Sequence, residues 1–230
     1  MCIRDRLISF STYVGISISG IIYIPMRIGL VATSRSGSTL FRSYACNMLG
    51  LLDSRSWLKH NSYSSIDEQE FAKEPHLLKI LPHYISDSPE EVHEVTKNFT
   101  SIWLHREDIV AQFLSHVARL RTGVNHVYKI EDRPQIDNLS LEATREEFDR
   151  FKDKLDCFWN LYRNYHQGEP LISLEYFLSN PTDNLAKLSN FFDINSNQVV
   201  NIPVPVELGI AYSDKFKNYD EIVEWFKNYE

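Results

Sequence analysis

Cysteine is scarce in this chain. Cys2, Cys46 and Cys157 make an odd number, with no CxxC pair and no metal-ligand spacing. That argues against a disulfide framework and a structural zinc site, and it fits free thiols in a reducing, cytoplasmic compartment. Positive charge is also in short supply, 24 basic against 31 acidic residues for a net −7. Such a balance repels a phosphate backbone and disfavours a general nucleic-acid binder, so any anion site has to be built locally. Repeats and low-complexity tracts are absent. The two sequons, at Asn98 and Asn138, carry little weight, because the tripeptide is common and matters only in a secreted protein.

What is present is a composition of 230 residues with 43% hydrophobic and 24% charged content, which fits one folded domain and excludes wholesale disorder. From Leu7 to Met26 no residue is charged, the length of a membrane span. The run is rich in serine and no small-x-small cleavage site follows, so it makes a poor signal peptide. Three readings stay open for residues 1–25: a non-native or dispensable leader, which we favour, a membrane anchor, or an extra domain element. Residues 26–230 are expected to form a single α/β domain. Its location is expected to be cytoplasmic, with membrane attachment only if residues 7–26 act as an anchor.

Arg27 to Ala32 reads as a first buried strand, and the apolar spacing from Ser38 to Leu52 predicts an amphipathic helix. Further strands are expected at His76–Leu81, Phe99–Leu104 and Leu171–Leu174. Helices are expected at Ser88–Lys97, Glu107–Arg121, within Leu141–Gln167, from Asn180-Pro181 onward, and at Tyr219–Tyr229. Alternating strands and helices imply a central parallel sheet flanked by helices.

The sharpest local feature is the turn Ala32-Thr33-Ser34-Arg35-Ser36-Gly37-Ser38-Thr39, which leaves a buried strand and opens a helix. Backbone N–H groups and the positive end of the helix dipole converge in such a turn, forming an anion site. It is not a Walker A loop: seven residues separate Gly29 from Gly37 where four are required, and Ser38 stands where lysine should follow. Arg35 adds a permanent cation, while Ser36, Ser38 and Thr39 add hydroxyl donors, which suits a phosphosulfate or phosphate end held without metal. A second element places Arg106 at the end of a strand, Asp108 as the cap of the next helix, and Ser115 two turns into it.

These two segments resemble sulfotransferases. Arg35-Ser36-Gly37-Ser38-Thr39 is similar to their 5′-phosphosulfate loop, and His105-Arg106-Glu107-Asp108-Ile109-Val110-Ala111-Gln112 through Ser115, with Arg121-Thr122-Gly123, is similar to their 3′-phosphate segment. The likeness is nearest to the bacterial trehalose-type enzymes and runs from Met26 to about Ile194. It implies a P-loop-kinase-like three-layer fold and 3′-phosphoadenosine 5′-phosphosulfate (PAPS) as donor, without a metal. It also implies a hydroxyl or amine acceptor, a small molecule or carbohydrate. Ser34 through Thr39 would hold the 5′ end, and Arg106 with Ser115 the 3′-phosphate. Two departures are visible: Ser34 stands where many members have proline, and the Arg106 to Ser115 spacing is one longer than in the cytosolic animal enzymes.

Arg35 and Lys79 are the expected neutralising groups for sulfuryl transfer; for Lys79 a strand-end lysine reaching solvent is the competing reading. The trehalose-type enzymes take their base from a glutamate after the first helix, and Leu51 to His60 contains none. His60 is the first candidate base, with Asp53 and Glu68 next, and His83 and His105 are read as structural. Two further functions compete: a nucleotide-binding module that has lost its base, and a small-molecule kinase, disfavoured by the missing lysine. The acceptor is not identified by any motif.

Overall fold

In the computed structural model the described residues are 17–18, 21–22, 27–53, 76–123, 140–194, 212–227 and 229. Strands β1 (Ser17–Ile18) and β2 (Ile21–Ile22) pair antiparallel within the uncharged amino-terminal run. Among the described residues no helix is long and apolar enough to cross a membrane.

The chain then builds β3 (Arg27–Ala32), α1 (Ser38–Leu49), β4 (Leu52–Asp53), β5 (His76–Ile80), a 3-10 turn at Pro82–Tyr84, α2 (Pro89–Thr96) and β6 (Thr100–His105). It continues with α3 (Ile109–Thr122), α4 (Arg145–Tyr165), β7 (Leu171–Ser173), α5 (Leu174–Ser179), α6 (Pro181–Phe192), α7 (Tyr212–Lys215) and α8 (Tyr219–Lys227). Five strands form one parallel sheet in the order β4-β5-β3-β6-β7. This is the expected α/β architecture, and each face of the sheet carries helices.

Alternation along the strands decides which helix covers which face. Ile28, Leu30 and Ala32 of β3 join Leu77, Ile102, Leu104 and Ile172 in a cluster with Phe41, Ala45 and Met48 of α1, Phe177 of α5 and Leu185 and Leu188 of α6. The opposite face sends Val31, Leu78, Ile80 and Trp103 against Val92 of α2 and Phe158 and Leu161 of α4. A third cluster locks α3 to α4 and α8 through Phe113, Phe148, Phe151 and Phe226. The aromatic spacing along α4 is therefore core packing, as its period predicts.

Several boundaries differ from the sequence reading for identifiable reasons. α1 ends at Leu49 because Gly50 adopts a left-handed conformation with φ 62° and closes the helix, so Leu52 lies in a strand. Leu174 begins a helix instead of ending a strand, because the Ser173 hydroxyl accepts the Tyr176 N–H at 3.1 Å and caps α5. The expected ends at Asp108, Gly123, Ser88 and Asn180 are observed as caps.

β3 lies between β5 and β6, and the helices that follow β3 and β5 cover opposite faces of the sheet. The connections diverge at the carboxyl end of β3, which leaves a crevice there of the kind that binds ligands in open α/β sheets.

Candidate anion-binding site

The loop Thr33–Gly37 emerges at that crevice. Arg35 has φ 64° and Gly37 φ 79°, so the backbone makes two left-handed steps before α1 begins. Gly37 meets a second requirement: a Cβ there would stand 2.5 Å from Leu174 Cδ1. A substituent at this position is thus disfavoured by backbone and by packing together.

Gly37 is the N-cap of α1 and supplies no side-chain hydrogen bond. By contrast Ser88, Asp108, Thr144, Ser173 and Asn180 each accept a first-turn N–H in their own helices. The first turn of α1 thereby keeps its amides and dipole for an external acceptor, next to a permanent cation.

The loop is clamped from α3. Gln112, 1% exposed, donates from Nε2 to Thr33 Oγ1 at 2.6 Å and to the Ser34 carbonyl at 2.7 Å. One turn on, Arg35 Nε donates to Ser115 Oγ at 2.9 Å. Sequence reasoning named Ser115 as a phosphate contact; the structure brings it to Arg35 and so joins the two motifs. Gln112 received no role from the sequence, although polar residues recurring at helical spacing, Gln112, Ser115 and His116, were the available signal.

Ser36 departs from expectation. Its hydroxyl is fully buried and donates to the Thr33 carbonyl at 2.9 Å, so it holds the turn and is not presented as a ligand donor. Ser38 is buried in the first turn of α1, and Thr39 is half-buried beside it.

Lys79 projects from β5, the strand beside β3, and is half-buried. Burial lowers its pKa to about 8, and the neighbouring cations Arg42, Arg35 and Arg119 add to the shift. Its surroundings are those of the cationic crevice and not of open solvent. Burial also draws Arg35 below its ordinary value; Tyr212 opposes that shift, while Arg119 and Arg106 assist it.

Arg106 stands at the end of β6, as expected, with Nε 3.5 Å from Glu175 Oε1. The same carboxylate accepts the Glu107 N–H at 2.9 Å and the Asp108 N–H at 3.4 Å. Burial alone would raise the Glu175 pKa, but these amides and Arg106 bring it below its usual value.

His60 and Glu68 lie outside the described residues, as does the side chain of Asp53. His105 packs its ring on Trp159 at 5.2 Å, in keeping with a structural role. His83 does more: its Nε2 lies 3.0 Å from Ser34 Oγ, against the anion loop. Burial, then Lys154, His116, Lys79 and Arg119, lowers its pKa to about 4, so the ring is uncharged at neutral pH. Among the described residues no group of three or more His, Cys, Asp or Glu could hold a metal ion.

No protein-family model matches the chain. No curated protein matches it either. Solved structures do: the sulfotransferase domain from the curacin biosynthetic pathway superposes with a TM-score of 0.51 at 13% identity, covering 90% of this chain and 92% of that one. A sulfotransferase from Alicyclobacillus acidocaldarius superposes with a TM-score of 0.54 at 7% identity, covering 89% of this chain and 92% of its own. The chain therefore shares its fold with sulfotransferase domains across nearly its whole length.

Proposed function

We propose that the protein is a sulfotransferase that moves the sulfuryl group of PAPS to a hydroxyl acceptor, carbohydrate among the candidates, by in-line displacement without a metal. The observation that carries this reading is the first turn of α1, left without a side-chain cap and flanked by an Arg35 that α3 holds in place. The fold shared with sulfotransferase domains supports it.

In this reading the amides of Gly37, Ser38 and Thr39 with Arg35 hold the 5′-phosphosulfate, and Lys79 neutralises charge on the sulfuryl oxygens. Arg106 takes the 3′-phosphate with the guanidinium nitrogens that do not face Glu175. Ser115 serves as the positioning residue for Arg35 instead of contacting phosphate itself. The acceptor oxygen forms its bond to sulfur as the sulfur–oxygen bond to the 5′-phosphate breaks, and that electron pair leaves with adenosine 3′,5′-bisphosphate.

A base is needed for the acceptor proton, and His83 is the described residue best placed to take it. It is uncharged when free, and the anionic donor raises its basicity toward neutrality once bound. Burial, with the surrounding cations adding to it, thus keeps the base uncharged while the negative ligand makes it effective.

Calorimetric titration with adenosine 3′,5′-bisphosphate, and separately with ATP and magnesium, tests the donor site. Tight binding of the bisphosphate, lost in Arg35→Ala and Arg106→Ala with the fold intact, is the expected result. Binding of ATP alone, or unchanged bisphosphate affinity in both variants, overturns it. Transfer of labelled sulfate that falls about a hundredfold in His83→Ala would assign the base.

A further inference from the structure

Several described cations in this chain are matched in ion pairs. Arg121 pairs with Glu147 at 2.7 Å, Arg145 with Asp149 at 3.1 Å, Arg150 with Glu146 at 3.0 Å and Lys152 with Asp156 at 2.6 Å. Arg119, Lys154 and Lys79 break the pattern. Each is half-buried, and none forms an ion pair or side-chain hydrogen bond with a described residue. Two of them sit on the same helices as the matched cations, Arg119 two residues before Arg121 and Lys154 two residues after Lys152.

Arg119 acts electrostatically on both Lys79 and Lys154, and Arg35 of the loop acts on Lys79. Ser115 and His116 lie three and four residues after Gln112, and Arg119 lies four and three residues after them, so the four share a face of α3. Gln112 and Ser115 grip the loop, and His116 and Arg119 extend the same face away from it. His116 is 7% exposed, its ring centroid lies 5.8 Å from that of Phe151, and its Nδ1 is buried without a hydrogen-bond partner. Lys154 lies one turn beyond Phe151 on α4, and His83 closes the group from the side of Ser34.

Few acids answer this charge. Asp87, which is exposed, acts on Lys154, and Glu147 acts on His116 but is committed to Arg121 and to the Thr144 cap. Lys154, Arg119 and Arg35 all act on His116, whose pKa burial first of all lowers to about 4. In a chain of net charge −7, a half-buried group of unmatched cations is costly unless a ligand neutralises it.

We propose that Arg119 and Lys154, with His116 between them, form an oxyanion subsite for the acceptor, so that the protein sulfates a hydroxyl compound which itself carries a phosphate, sulfate or carboxylate group. This rests on the sulfotransferase reading, which assigns Arg35, Lys79 and Arg106 to the donor and gives Arg119 and Lys154 no role there. The acceptor's charge lies against α3 and α4, and its hydroxyl lies toward His83 and the loop.

Inorganic sulfate is the probe. It is titrated calorimetrically into the full chain saturated with adenosine 3′,5′-bisphosphate, and into the ligand-free chain, at constant ionic strength. Sulfate should bind the saturated protein, and Arg119→Gln and Lys154→Gln should each weaken it about fivefold or more, as loss of one partly screened charge implies. Bisphosphate affinity should stay within about threefold in both variants. Sulfate binding indifferent to both substitutions, or absent, overturns the subsite. Bisphosphate affinity that falls as far as sulfate affinity also overturns it, by assigning the cluster to the donor. If the unaltered chain binds no bisphosphate, the donor assignment fails on its own, and the ligand-free titration with the same variants still decides the subsite. Circular dichroism and thermal transitions of the variants separate misfolding from loss of binding.

Discussion

Arg35 and Ser115 are 80 residues apart and joined by a 2.9 Å hydrogen bond from the guanidinium Nε to the hydroxyl. The bond fixes the Arg35 side chain, in the loop after β3, against the second motif. Preorganisation of this kind is what truncating the serine removes. Ser115→Ala is expected to weaken bisphosphate binding by about three- to tenfold, against about a hundredfold for Arg35→Ala. Calorimetry on the two single variants and the double variant checks it; in the double variant the serine effect should vanish, because there is no arginine left to hold.

Gly37 predicts a stability effect with a specific rescue. Gly37→Ala introduces a methyl into Leu174 at a left-handed backbone position, which should cost about 2 kcal/mol or more. Leu174→Ala in the same chain should recover the packing part but not the backbone part. Urea unfolding of the four proteins separates the two; a fully additive cycle would show that the contact with Leu174 is not the constraint.

Lys79 is expected to set an alkaline limit on bisphosphate binding. With a pKa of about 8 in the free protein, it is charged below that pH and loses its proton above it, while a bound anion holds the proton on. Bisphosphate affinity should therefore be constant below about pH 7 and fall as pH rises through 8. Lys79→Met should bind more weakly and lose this dependence. Titrations between pH 6.5 and 9.5 provide the check.

His83 and His116 set an acid limb of stability. Each has a folded-state pKa near 4 against about 6.5 when unfolded, so between those values the unfolded chain binds more protons. Stability from this source is complete above pH 6.5 and is lost as pH falls toward 4. Thermal transitions should drop across that window, and His116→Gln should flatten the drop. An equally steep decline in the variant would trace the limb to carboxylates instead.

Local sequence specified more of the fold than of the site. β3 occupies the expected six residues, and the caps at Ser88, Asp108, Gly123 and Asn180 are where turn chemistry put them, because these signals act within one turn of chain. The tight turn from β3 into α1 at Arg35 and Gly37 was legible for the same reason. The Gln112 clamp, the Arg35–Ser115 bond and the approach of His83 to Ser34 span 49 to 80 residues, and no periodicity encodes them. Ser36 was misread because a hydroxyl in a small-residue loop can serve the turn or the ligand, and only burial distinguishes the two. The approach of His83 to the loop was not legible because its position on the 3-10 turn, and not its sequence neighbours, brings it there.

The clamp from α3 also bears on how the molecule assembles. Thr33 and Ser34 wait 78 to 79 residues for the Gln112 amide that shapes them, so a nascent chain ending at β6 has its central strand but not a finished cradle. Contacts of such sequence separation come late in folding. Ligand competence should then appear only after α3 has docked, which makes anion binding a readout of the final steps of folding and not of the formation of the sheet.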